Sequence, residues 1–433
     1  MSIYSFLLSI IMAITTLCAP LATPIVPENK ADDFVPVMRF VATSDAHVIT
    51  PGDMGSTRIT KMIKAAYGYA EADADYTALD AVVFAGDNTD DGAFISFASF
   101  VAASDSVLRE GTERLVVVSD SHDGNMYDKR SLELFTHLTG QETDFHRVIN
   151  GFHFIGVSAS AVEGKHYTEE QVQWLDEELA KATAEAPEQP VFVFNHEHVL
   201  DTVFGSRSND GWGLDVFTDV LSKYPQVIDI SGHSHYPAND PRAIWQGAFT
   251  AINDGGLAYY EFTVDNLTSV HPSGSKTMTQ ALVIEVDAEN RVLVKVLDVN
   301  KGKFVDEYLI DNVTEPEKTK YSHEYRAAAS TAPEFDEGAE LKVSKIAGKY
   351  TVKVPQANTT GDNKVYLYRI SVTDENGNVV HSDWALSEYY FATVPDTIKF
   401  DSFKVKGGTF NVSVVAEDVW GNISEPLITT INA

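Results

Sequence analysis

Short apolar runs with little alternation recur from Met38 onward: MRFVAT at 38–43, AVVF at 81–84, LVVV at 115–118, FHFIGV at 152–157, PVFVF at 190–194 and VIDI at 227–230. Runs that are apolar on both faces predict buried strands. Helical patterns lie between them. Ile59, Met62, Ile63, Ala66 and Ala70 fall on one face, and Thr168 with Gln171 forms a capping box ahead of Val172, Leu175, Leu179 and Ala182 at helical spacing. Strands alternating with helices predict an α/β core with a largely parallel sheet. From Phe249 to Val299 strand-like runs replace helices, so antiparallel strands are expected to close this domain.

The period changes again further on. Thr314 to Ala339 is rich in Glu, Lys, Pro, Ala and Thr and reads as a linker or peripheral segment, 314–339. Beyond it, Tyr366, Tyr368, Ile370 and Val372 alternate with Leu367, Arg369 and Ser371, Asn376-Gly377 is a hairpin signal, and Phe410, Val412 and Val414 alternate in turn. Residues 340–433 therefore predict an all-β sandwich.

Composition narrows the classes. The 433 residues are 44% hydrophobic, enough for more than one folded unit, and 22% charged. Asp and Glu number 63 against 32 Lys and Arg, a formal charge of −31, which excludes nucleic-acid binding through a basic face. Cys18 is the single cysteine, so no intrachain disulfide and no thiolate metal cluster can form. Any metal must use His and carboxylate.

The uncharged apolar run from Tyr4 to Leu17, followed by small residues and prolines, reads as a signal peptide over residues 1–22, with a polar tail over 23–36. Export to a secreted or cell-surface location is the expectation. No later segment is long and apolar enough to span a bilayer.

The chemistry is concentrated in five clusters, each directly after an apolar run: Asp45-Ala46-His47, Gly86-Asp87-Asn88-Thr89-Asp90, Asp120-Ser121-His122-Asp123, Asn195-His196-Glu197-His198 and Gly232-His233-Ser234-His235. Loops at the carboxyl ends of strands in an open α/β sheet converge on one crevice. Two divalent cations about 3.5–4 Å apart need a ligand that can bridge them, which a carboxylate can do and a neutral imidazole cannot. In Asp-x-His and His-x-His, alternate side chains on extended backbone point the same way.

In this order the clusters resemble the calcineurin-like metallophosphoesterase superfamily, of purple acid phosphatase and phosphodiesterase type, over a domain placed at 37–313. The resemblance implies a four-layer α/β/β/α sandwich. It also implies a first metal held by Asp45, His47, Asp87 and His235, and a second held by Asp87, His196, His233 and the third-motif ligand. Ser121 stands where the family carries an asparagine there, and Asp120 where it carries glycine. A hydroxyl is a shorter and poorer donor than an amide oxygen, so the second site is expected to be weaker unless Asp120 turns inward or water substitutes. His122 matches the family histidine that faces the scissile phosphate, and Asp123 is placed to orient its ring. His198 is read as substrate-side or structural, Glu197 as a solvated loop acid, and Trp174 and Trp212 as core or helix-packing residues.

The expected function is hydrolysis of a small phosphomonoester or phosphodiester with two divalent ions, Zn, Fe or Mn. The alternative is a catalytically weak extracellular metal protein whose sandwich, fibronectin type III-like in its last strands, binds a glycan or a cell-surface partner.

Overall fold

The computed structural model describes residues 33–124, 129–160, 162, 164–207, 212–265, 267–316 and 321–432. The expected signal peptide and residues 23–32 of the polar tail lie outside the described residues. Among these residues no helix is long and apolar enough to cross a membrane.

Two compact units divide the chain. One runs to Asn239 and resumes over Ala243–Ser322; the other joins Asp240–Arg242 to His323–Ala433. In the first unit the apolar runs form two mixed six-stranded sheets rather than one largely parallel sheet. The first has the order Lys303–Ile310, Val292–Asp298, Gln280–Asp287, Pro36–Thr43, Ala81–Ala85, Glu113–Val117. Its last three strands are parallel, and the strands from Gln280 onward are antiparallel, as the loss of helices there predicts. The second has the order Ile244–Gln246, Thr250–Asn253, Val227–Ser231, Val191–Phe194, Phe152–Gly156, Phe145–Ile149, parallel except at its two edges.

Strand pleating sorts the apolar residues into layers. Met38, Phe40 and Ala42 face the second sheet, where Phe40 meets Phe154 and Phe192 edge-on at 5.1 and 4.8 Å, while Val41 faces outward. Outward residues of the first sheet pack on helices Met54–Ala72 and Phe94–Asp105, and those of the second on helix Glu169–Glu185. The result is the four-layer α/β/β/α sandwich. Both faces of each sheet are covered, which is why the strands read as apolar runs. Thr168 and Gln171 make both bonds of the capping box.

In the second unit a three-stranded sheet (Lys342–Ile346, Lys349–Pro355, Thr397–Lys399) and a four-stranded antiparallel sheet (Val379–Leu386, Val365–Thr373, Thr409–Asp418, Leu427–Asn432) enclose one core. Tyr368, Ile370, Val372, Val412 and Val414 fill it, as their alternation predicts. The stretch read as a linker instead carries helix His323–Ala329, which buries His323 and Arg326.

Candidate metal centre

Each cluster sits where its strand ends at one edge of the two sheets. Backbone bonds lock the loops together: Asp45 N–H donates to the Gly86 carbonyl and His47 N–H to the Asp87 carbonyl, both at 3.0 Å, and Gly232 N–H donates to the His196 carbonyl at 3.0 Å. Five of the clustered residues, Asp45, His47, Asp87, His233 and His235, have positive φ between 46° and 68°. For a side-chain-bearing residue this region costs about 1–2 kcal/mol. Backbone strain concentrated on the residues with ligand chemistry marks a built site.

Asp45, His47, Asp87 and His235 form one group of buried donors whose atoms lie within 4.8 Å of one another, and Asp87, His196 and His233 form a second. Within the first, His47 Nε2 is 3.3 Å from His235 Nε2, His235 Nε2 is 3.3 Å from Asp45 Oδ1, and His47 Nε2 is 3.7 Å from Asp87 Oδ2. In the second, His196 Nε2 is 3.4 Å from Asp87 Oδ2 and 3.2 Å from His233 Nδ1. Asp87 alone belongs to both.

Neighbouring groups fix which nitrogen faces the centre. His196 Nδ1 donates to the Ala85 carbonyl at 2.9 Å and His235 Nδ1 to the Tyr259 carbonyl at 3.1 Å, so each turns a bare Nε2 inward. The Tyr259 ring stacks on His235 with centroids 4.1 Å apart. Asp45 accepts the His233 N–H at 3.0 Å through Oδ2, while its buried Oδ1 has no hydrogen-bond donor among the described residues. Lone pairs of two imidazoles and a carboxylate facing one another at 3.3 Å repel unless a cation lies between them. The donor set therefore fits a divalent metal that accepts nitrogen and oxygen.

The electrostatics agree. Burial works against the charge on Asp87, yet His196, His47 and His122 outweigh it and hold the carboxyl well below its ordinary range. Burial likewise disfavours a charged His196, but the Asp87 carboxylate pulls its proton affinity well above the ordinary histidine value.

Three expected roles change. Asp123 does not orient His122. It is fully buried and accepts from the Asn88 and Thr89 backbone N–H groups, the Asn88 amide and the Thr89 hydroxyl, so it holds the Asp87 loop in shape. The partner of His122 is Asp90, whose backbone carbonyl accepts from Nδ1 at 2.8 Å; His122 Nε2 is 3.9 Å from Asp87 Oδ2, with the side chain 39% exposed. Glu197 is buried rather than solvated, accepting the Tyr167 hydroxyl at 2.5 Å. Trp212 is not a core residue: it packs edge-on to His233 at 5.1 Å, and its buried indole N–H has no hydrogen-bond partner among the described residues.

Asp120 turns away from both donor groups to His166, with its Oδ2 2.5 Å from His166 Nδ1. Ser121 stands half-buried in the turn between Asp120 and His122. His198 is structural, lying between the Ser231 and Ser234 hydroxyls at 2.8 and 2.7 Å; burial pushes its proton affinity down to about 3. Trp174 packs against the core of the second sheet as expected.

The family match agrees with this geometry. Residues 38–237 match the family model described as calcineurin-like phosphoesterase. A probable cyclic nucleotide phosphodiesterase of Rhodococcus erythropolis is 28% identical over 211 residues, 45% of this chain; the match covers 64% of that relative, just under two thirds of its length. Among solved structures, a purple acid phosphatase from yellow lupin seeds is similar with a TM-score of 0.46 at 13% identity, covering 63% of this chain and 53% of that one. The anchor in the inner membrane complex of Plasmodium is similar with a TM-score of 0.42 at 13% identity, covering 64% of this chain and 89% of that one. The ordered clusters, the four-layer sandwich that brings them together and the family match place the domain over residues 38–237 in the calcineurin-like metallophosphoesterase superfamily.

Proposed function

We propose that the chain is an exported phosphoesterase that hydrolyses phosphomonoesters or phosphodiesters at a dinuclear metal centre. The observation that carries the reading is Asp87, the one carboxylate shared by both donor groups. Asp45, His47, Asp87 and His235 would hold one ion; Asp87, His196 and His233 would hold the other, with Ser121 at the position of the family's amide ligand. Divalent ions bound there supply Lewis acidity toward a phosphoryl oxygen and lower the pKa of water towards neutrality.

The chain's own residues do the rest. Bonds to the Ala85 and Tyr259 carbonyls keep His196 and His235 aimed without reorganisation. His122, half-exposed and fixed through Nδ1 by the Asp90 carbonyl, presents Nε2 beside Asp87, where a proton on it can pass to a departing ester oxygen. The likeness to a probable cyclic nucleotide phosphodiesterase supports ester chemistry of this kind. Export rests on the Tyr4–Leu17 run.

The test is to strip the protein with a chelator, return Mn²⁺ or Zn²⁺, and follow p-nitrophenyl phosphate and bis(p-nitrophenyl) phosphate. Hydrolysis restored by metal is expected; none of either ester at any metal concentration would overturn the assignment and leave the catalytically weak alternative.

A further inference from the structure

A cluster beside the second donor group takes no part in the proposed metal chemistry. Asp120, in the turn after strand Glu113–Val117, and Glu197, in the turn after Val191–Phe194, are both buried. Between them lies His166, whose side chain is 47% exposed, with Nδ1 2.5 Å from Asp120 Oδ2 and 3.7 Å from Glu197 Oε1. Two buried carboxylates side by side repel and need a cation. Nδ1 and Asp120 Oδ2 form a direct ion contact at 2.5 Å, too close for an ion to sit between donor atoms that each stand about 2 Å from it. The cation is therefore the imidazolium itself. The carboxylates, Glu197 foremost, raise its proton affinity to about 9.

The cluster borders the centre. Both carboxylates feel the charge of His196, and Glu197 also that of His233. Nδ1 faces the carboxylates, and Nε2 has no hydrogen-bond partner among the described residues. In a chain of formal charge −31, an anionic substrate needs such a local positive group.

We propose that His166 is a specificity-determining residue whose Nε2–H binds a non-bridging oxygen of a dianionic phosphomonoester, favouring monoesters over monoanionic diesters. This rests on the phosphoesterase reading. The experiment compares the Zn-loaded wild type with His166→Gln and His166→Arg. The readouts are kcat and KM on p-nitrophenyl phosphate and bis(p-nitrophenyl) phosphate, calorimetric affinity for inorganic phosphate, and metal content.

His166→Gln should raise the monoester KM and weaken phosphate binding about tenfold, the scale of one lost hydrogen bond to a charged group. Diester KM and metal content should stay put, and His166→Arg should recover most of the loss. Equal changes on both esters, no change, or loss of metal would overturn the proposal. Should His166→Gln fail to fold, the ring resonances of His166 in the wild type must shift as phosphate is titrated in, and an unmoved ring overturns it as well. If the wild type hydrolyses neither ester, the phosphoesterase reading falls, and the phosphate-binding arm still decides the role of His166.

Discussion

Replacing Gly86 by alanine separates the cost of backbone strain from the cost of disturbing the centre. Gly86 has φ +96°, and a Cβ added there would stand 2.4 Å from His196 Nδ1 and 2.5 Å from its Cγ. Placing an L-residue in the left-handed region costs about 1–2 kcal/mol. Forcing a carbon into a packed ring costs about 1–3 kcal/mol more. The sum is about 2–5 kcal/mol, and at about 2–4 °C per kcal/mol for a unit of this size Tm should fall by roughly 4–20 °C. Gly111 is the control: its φ is +91° with nothing within 4 Å of a new Cβ, so Gly111→Ala carries the conformational cost alone. The ring of His196 can yield only by giving up its bond to the Ala85 carbonyl and its approach to His233 and Asp87. Gly86→Ala should therefore lose metal from the second donor group while Asp45, His47, Asp87 and His235 keep theirs. Calorimetric melting with metal analysis reads both effects. Equal Tm losses in the two variants, with full metal in both, would refute the reasoning.

Two further outcomes follow from single residues. Burial raises the Asp229 carboxyl to about 8, against only the Asn195 amide in its favour, so in the folded protein it stays protonated where the unfolded chain would ionise. Stability from this group is fully present below about pH 4 and is lost as pH rises towards 8, a cost on the order of 4 kcal/mol at pH 7; Asp229→Asn should flatten Tm against pH between 5 and 8, and an unchanged slope would remove Asp229 as its source. Ser121→Asn should lower the metal concentration needed for half-maximal activity, with the gap closing at excess metal, whereas Asp120→Gly should lower Tm more than metal affinity because Asp120 pairs with His166. The reverse pattern would make Asp120 the ligand.

Much of this architecture was legible because local rules agree with one another. Apolar runs, the Thr168 capping box and the order of the five clusters all depend on residues near in sequence, and the alternation at Tyr368–Val372 placed the sandwich core. The apolar pattern by itself could not show that the runs divide into two sheets, since a strand covered on both faces by helix and sheet reads the same in either; only the resemblance carried by the five clusters implied the four layers. The pattern could not show side-chain direction either. Asp123 follows His122 in sequence, yet its carboxylate points to the Asn88–Thr89 amides, and Asp90 reaches His122 from another strand's loop. The His166 cluster joins three loops, 120, 166 and 197, with no local pattern to announce it. Trp212 and Tyr259 carry no motif at all, and only the fold brings them to His233 and His235.

The central claim is that Asp87 is shared by two metal ions. Metal analysis of the wild type and Asp87→Ala after equilibration with Mn²⁺ or Zn²⁺, alongside turnover of the same samples, tests it most directly. Two equivalents in the wild type, a loss at both positions in the variant and abolished turnover are expected. Two bound ions with near wild-type turnover in Asp87→Ala would contradict it.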